Sequence, residues 1–194
     1  ATVTDEKKAH VIRILYVGRF ESRKGTDVLL EAIPEVLAEL THVRFLLAGN
    51  DRDRSYQSQF EEKHNSRVLS KVDFLGQVSD EERTQLYRDC DLFVAPSRYE
   101  SFGIVYAEAM SYGKPVIGCK AGGAPEVIGT ESGFLARPGD SDDLAVQILK
   151  LCNDGSLRES MGRNAYQRVS ELFSREKMAR DTVDLYQQVL AGRN

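Results

Sequence analysis

Two glutamates, Glu100 and Glu108, are separated by seven residues in the stretch "APSRYESFGIVYAEAMSYGKPVI", residues 95–117. Between them, Ser101-Phe102-Gly103 has the marks of a helix start: Ser101 can cap, and Gly103 removes bulk from the first turn. An apolar run over residues 91–95 precedes Pro96-Ser97. The order is strand, carboxylate, bare helix N-terminus, second carboxylate. A helix N-terminus offers free N–H groups and partial positive charge, which suit a phosphate. A carboxylate one or two turns further along can hold a sugar diol. Glycoside hydrolysis is the competing chemistry, and it needs two carboxyl groups roughly 5–9.5 Å apart across one bond. If the segment between the two glutamates were helical throughout, eight steps of about 1.5 Å would separate their backbones by roughly 12 Å. That spacing favours two carboxylates gripping different parts of a long ligand. Taken alone, the pair also reads as two solvated glutamates.

A second set of candidates lies in "GRFESRKGTD", residues 18–27. The order Lys24-Gly25-Thr26 is not the Gly-Lys-Thr of a Walker loop, and no G-x-G-x-x-G is present. What remains is Arg19, which can fork two phosphate oxygens, and Lys24, a point charge. Two cations with no facing acidic pair would suit a diphosphate without a metal; solvated loop charges are the plainer alternative. Asp51-x-Asp53 imitates a metal-binding pair, but the flanking Arg52 and Arg54 would compete with a cation, so it reads as surface charge. The glycine-rich "GCKAGGAPEV", residues 118–127, either lines a ligand or turns the chain into a helix near Pro125. Tyr87, Phe102 and Tyr106 could stack on a base or sugar, although the apolar neighbours of Tyr87 and Tyr106 favour core packing.

These residues need elements to position them. Short apolar runs at 11–18, 43–49, 72–76, 91–95, 115–119 and 133–136 read as strands covered on both faces. Residues 26–40 carry one apolar face (Leu29, Ile33, Val36, Leu37, Leu40) with Glu31, Glu35 and Glu39 opposite, and Pro34 predicts a kink. Ser79 with Glu82 has capping-box spacing for a helix to about Asp89, and Ser156 with Glu159 repeats it. Helices are expected over about 141–153, 155–171 and 174–191. The alternation predicts an α/β fold, a Rossmann-like parallel sheet with helices on both faces and right-handed crossovers. Ligands of such sheets bind beyond the carboxyl ends of the strands. Those ends supply Gly18-Arg19, Gly49-Asn50, Gly76-Gln77-Val78, residues 97–100 and residues 118–123.

Composition narrows the classes. The 194 residues are 41% hydrophobic and 29% charged, with a net charge of −4 and no basic block, so nucleic acid is not an expected partner. Three widely spaced cysteines read as free thiols in a reducing compartment, and three histidines without clustering give no metal site. With no membrane-length apolar run and no signal peptide visible, the expected location is cytoplasmic. Residues 1–10 read as a flexible leader, and residues 11–194 as one domain.

Taken together, the sequence resembles the C-terminal, donor-binding domain of family 4 glycosyltransferases, retaining enzymes of the GT-B fold. The likeness rests on "YVGRFESRKGTDVLLEAIPEV", "FLLAGN", "VDFLGQVSDEERTQLYRDCDLFVAPSRYESFGIVYAEAMSYGKPVIG", "GGAPEVI" and "SGFLARPGD", and covers roughly residues 11–190. The resemblance implies that Gly18, Arg19 and Lys24 meet the donor diphosphate, with the backbone of Phe102, Gly103, Ile104 and Val105 completing the cradle. Arg19, Lys24 and Glu100 would act in the transfer, Glu100 by holding hydroxyls of the transferred sugar. Glu108 would take the ribose diol, with Gly49 and Val78 beside the nucleoside. The implied donor is a UDP-, ADP- or GDP-linked hexosyl-type sugar, used without a metal or other cofactor; the acceptor is unspecified.

Complete members have a second, N-terminal domain for the acceptor, which is missing here because the first strand already carries Gly18-Arg19-Phe20. The chain is therefore expected to be an excised piece or fragment, inactive alone. Its 174–191 helix would cross toward the absent domain, through which a peripheral membrane association could also arise. A non-catalytic nucleotide-sugar module and half of a nucleotide-sugar epimerase are the alternatives.

Overall fold

A computed structural model describes residues 10–192. Residues 1–9 of the expected leader lie outside the described residues; the next, His10, has Nε2 2.7 Å from Asp91 Oδ1.

The six expected strands form one parallel sheet, each within about two residues of its apolar run. They are β1 (Ile12–Val17), β2 (Val43–Ala48), β3 (Val72–Gly76), β4 (Leu92–Val94), β5 (Val116–Cys119) and β6 (Gly133–Ala136), in the spatial order β3-β2-β1-β4-β5-β6. Alternate residues serve opposite faces. Ile14, Leu92 and Val94 join the core beneath α1 (Thr26–Glu39) and α7 (Ser141–Asn153). Leu15, Phe93 and Ala95 join the other, against α4 (Asp80–Asp89), α5 (Ile104–Ser111), α6 (Ala124–Ile128) and α8 (Gly155–Leu172). Burial on both faces is why the inner strands read as continuous apolar runs; β3, at the sheet edge, is covered less than expected, with Leu75 and Gly76 exposed.

Helix α1 buries Leu29, Ile33, Val36 and Leu37 and runs unbroken through Pro34. The capping box on α4 forms as expected: Glu82 N–H donates to Ser79 Oγ at 3.2 Å, and Ser79 N–H to Glu82 Oε2 at 2.7 Å. The Ser156 signal does not set the start of α8, because Asp154 is the cap and accepts from Leu157 N–H at 2.8 Å. Two elements carry no reading from the sequence. These are α2 (Ser55–Lys63), which buries only Phe60, and the single turn α3 (Ser66–Leu69), capped by Asn65. The last helix, α9 (Arg175–Ala191), has no buried residue. Cys90, Cys119 and Cys152 are free and buried, and burial pushes each thiol up to about 12, so none is nucleophilic near neutral pH.

Candidate functional site

The strand order creates the site. From β1 the chain steps outward through β2 and β3, then returns to the other side of β1 as β4. The loops after β1 and β4 thus leave adjacent strands and feed helices on opposite faces, α1 and α5. Such a switch point opens a crevice at the carboxyl edge of the sheet.

Lys24 enters the crevice from a 3₁₀ turn, Ser22–Lys24, in the first loop. Its Nζ lies 2.5 Å from Glu100 Oε1, and Ser97 Oγ donates to the same oxygen at 2.9 Å. Glu100 is only 8% exposed. Residues 76 apart in sequence are therefore joined. Each cation stands beside a single acid. Lys24 faces Glu100, and Arg19 Nη2 stands 3.4 Å from Glu21 Oε1 while its side chain stays 64% exposed. The reason is desolvation: a largely covered ammonium and carboxylate are tolerated only as partners.

Gly25 lets the two loops meet. Its φ is +69°, and a Cβ there would sit 2.0 Å from the Pro96 carbonyl oxygen. Beneath the crevice, the buried Tyr16 hydroxyl donates to the Arg19 carbonyl at 2.9 Å and lies 3.0 Å from Thr26 Oγ1. Tyr106 Oη donates to the Ala95 carbonyl at 2.6 Å. Burial pushes both phenols upward, so they stay protonated and brace the strand ends. Tyr106 is core, as expected, and so is Tyr87.

Helix α5 starts differently from its expectation. Ser101 does not cap it; the N-cap is Gly103, with φ +91° and no side-chain cap. A Cβ on Gly103 would lie 2.4 Å from the Tyr106 ring, so Gly103 is needed for its backbone as well as its size. Among the described residues, the main-chain N–H groups of 102–105 have no backbone acceptor outside the helix. Phe102 and Ile104 are exposed at this mouth, and Phe102 packs edge-on against Phe173 with centroids 5.3 Å apart. The glycine-rich loop after β5 backs the crevice: Gly123 N–H donates to the Glu100 carbonyl at 2.8 Å, and Gly123 also caps α6.

Glu108 lies further along α5, where Tyr87 Oη donates to its Oε2 at 2.9 Å. Each glutamate thus has one oxygen held by the protein, Oε1 of Glu100 and Oε2 of Glu108. Gly18 and Gly49 are brought together, since Gly18 N–H donates to Ala48 O at 3.0 Å and a Cβ on Gly49 would strike Gly18 O at 1.7 Å. Gly49 also lines a cleft of about 210 Å³ with Phe20, Phe74, Gly76 and Gln77. Val78 precedes the Ser79 cap of α4. Asp51, ahead of α2, accepts from the Gln57 N–H of that helix at 3.0 Å, a structural task.

Sequence reading missed Arg98 and Asp27. Arg98 Nη1 and Nη2 donate to Asp27 Oδ1 and Oδ2 at 2.7 and 2.8 Å, joining the loop after β4 to the first turn of α1. The hydrogen-bonded Asp27 carboxylate raises the Arg98 pKa. Only the strand order makes these two neighbours, so neither position carries a signal by itself.

The family model for glycosyl transferases group 1 matches residues 4–168. The chain belongs to that family. Its relatives include the uncharacterized glycosyltransferase MJ1607 of Methanocaldococcus jannaschii, 35% identical over 95% of this chain and 46% of the relative. The chain spans about half the length of the curated relatives it matches. Among solved structures, Alr3699/HepE of Anabaena, crystallised with UDP and glucose, is 28% identical, with a TM-score of 0.79 over 93% of this chain and 49% of that one. The C-terminal domain of the group 1 glycosyl transferase LpcC from Francisella tularensis is matched over 88% of its own length, with 29% identity and a TM-score of 0.77. The Rossmann-like sheet of this glycosyltransferase domain is thus the C-terminal half of a GT-B architecture.

Proposed function

We propose that this domain binds the donor, a nucleoside diphosphate sugar, for a retaining, metal-independent transfer of a hexosyl-type sugar. The observation that carries the reading is the Lys24–Glu100 pair, a cation meant for phosphate and an acid meant for sugar meeting beside the N-terminus of α5. As the bond from sugar to diphosphate breaks, negative charge gathers on the leaving group. Lys24, Arg19 and the main-chain N–H groups of residues 102–105, with Gly18 leaving room, would stabilise it from fixed positions. Lys24 needs no large movement to do so, because Glu100, itself held by Ser97, already holds it at the crevice.

Glu100 would accept from sugar hydroxyls through Oε2, and Glu108 from the ribose diol through Oε1. Gly49 would lie beside the nucleoside, where the cleft at the ends of β1 to β3 offers Phe20 and Phe74; Val78 would sit near the base. HepE, solved with UDP and glucose, supports a donor of this chemical class. Membership of a transferase family weighs against the epimerase alternative. The acceptor would be held by an N-terminal domain outside this chain, toward which α9 would cross, and the domain alone would not transfer sugar. Free buried cysteines support a reducing, cytoplasmic location, and no described helix is long and apolar enough to cross a membrane.

The test is calorimetric titration with UDP, ADP and GDP. Clear preference for one of the three is expected; absence of binding by all three would refute the donor-site reading.

A further inference from the structure

The turn that carries Lys24 has little to hold it in place. Ser22–Lys24 contains no buried residue, and its own hydrogen bonds are local: Lys24 N–H to Glu21 O at 2.9 Å, and Gly25 N–H to Ser22 O at 3.0 Å. Its long-range ties besides the Lys24–Glu100 pair converge on Arg98, in the loop after β4. The Arg98 N–H donates to Arg23 O at 2.9 Å. Arg98 Nη1 donates to Ser22 O at 2.5 Å, to Ser22 Oγ at 3.1 Å and to Asp27 Oδ1 at 2.7 Å. Nη2 completes the fork to Asp27 Oδ2 at 2.8 Å. One residue therefore grips the turn before Lys24, the helix after it and the main chain between.

We propose that Arg98 is a positioning residue, a strap between the loops after β1 and β4 that presents Lys24 to the donor diphosphate. The role rests on the donor-site reading. The Arg98 and Asp27 side chains are 37% and 36% exposed, and ion pairs so open to water contribute little to global stability. What the pair does is local. Lys24 sits on a flexible four-carbon stem, and fixing its Cα removes freedom that phosphate binding would otherwise have to remove. The planar fork suits this task, because it fixes direction as well as charge; a lysine would keep the charge and lose the geometry. With its donors turned onto Ser22 and Asp27, the guanidinium serves the chain rather than the ligand.

The experiment compares Arg98→Ala, Arg98→Lys, Asp27→Asn and the double variant Asp27→Asn/Arg98→Ala with the wild type and with Lys24→Ala. Affinity for UDP, ADP and GDP is read by calorimetry, and amide exchange at Lys24 and Gly25 is read without ligand. Arg98→Ala is expected to weaken the preferred nucleotide about tenfold, with Arg98→Lys recovering part of the loss and the double variant no weaker than Arg98→Ala alone. The melting temperature of Arg98→Ala should move by less than about 4 °C. Its Lys24 and Gly25 amides should exchange faster than in the wild type. Unchanged exchange, fully additive losses, or a Lys24→Ala loss unmatched by any Arg98→Ala loss would overturn the strap and leave the donor site standing. Failure of the wild type to bind any of the three nucleotides would remove both.

Discussion

At the carboxyl edge of the sheet, Lys24, Arg98 and Asp27 each end on another part of the chain, Ser97 holds Glu100 within one loop, and Glu100 is nearly covered. Along α9 no residue is buried, and Met178, Val183, Leu185, Tyr186, Val189 and Leu190 are exposed. The contrast is sharpened by α7, whose Leu144, Ile148 and Leu151 are fully covered beneath α1 and β6. Apolar residues at helical spacing are therefore not enough to bury a helix; a partner must be present. The charged side chains of the crevice find partners among the described residues, whereas the apolar side chains of α9 are exposed.

The largest expected effect is Ile148→Ala on α7, which should cost about 2–5 kcal/mol of unfolding free energy in a denaturant titration. A cost as small as that of a surface change would mean that α7 is not the packed helix of the pair. Next comes Gly25→Ala, which forces a side chain into a positive φ and against the Pro96 carbonyl, at about 1–3 kcal/mol. The same variant should lose nucleotide affinity, because the loops after β1 and β4 must separate. Glu108→Ala should weaken nucleoside diphosphate binding by about 1.5–3 kcal/mol, the value of a hydrogen bond to a charged group. Glu100→Ala should weaken it less, since a diphosphate without sugar offers Glu100 no hydroxyl; equal losses would undo the division of roles. The smallest effect belongs to α9, where Leu185→Ala should stay within about 0.5 kcal/mol of the wild-type stability.

Much of this was legible in the sequence. The inner strands announced themselves because burial on both faces leaves unbroken apolar runs. Ser79 announced α4 through a local pattern that local physics satisfies. Three things were not legible. Helix α2 buries only Phe60, so it carries no stripe to read. The start of α5 was masked by Ser101, which resembles a cap, while the decisive feature was the positive φ of Gly103 against Tyr106. The pairings Lys24–Glu100 and Arg98–Asp27 join residues 76 and 71 apart, and they follow from β4 returning beside β1, an order that periodicity does not encode.

Paired calorimetric titrations of the wild type and Lys24→Ala with the preferred nucleoside diphosphate test the crevice most directly. A loss of about 1–3 kcal/mol is expected when the ammonium is removed, as for a charged hydrogen bond and its unpaired remnant. Equal affinities for the two proteins would contradict it, and would leave the Lys24–Glu100 contact as an ion pair with no part in binding.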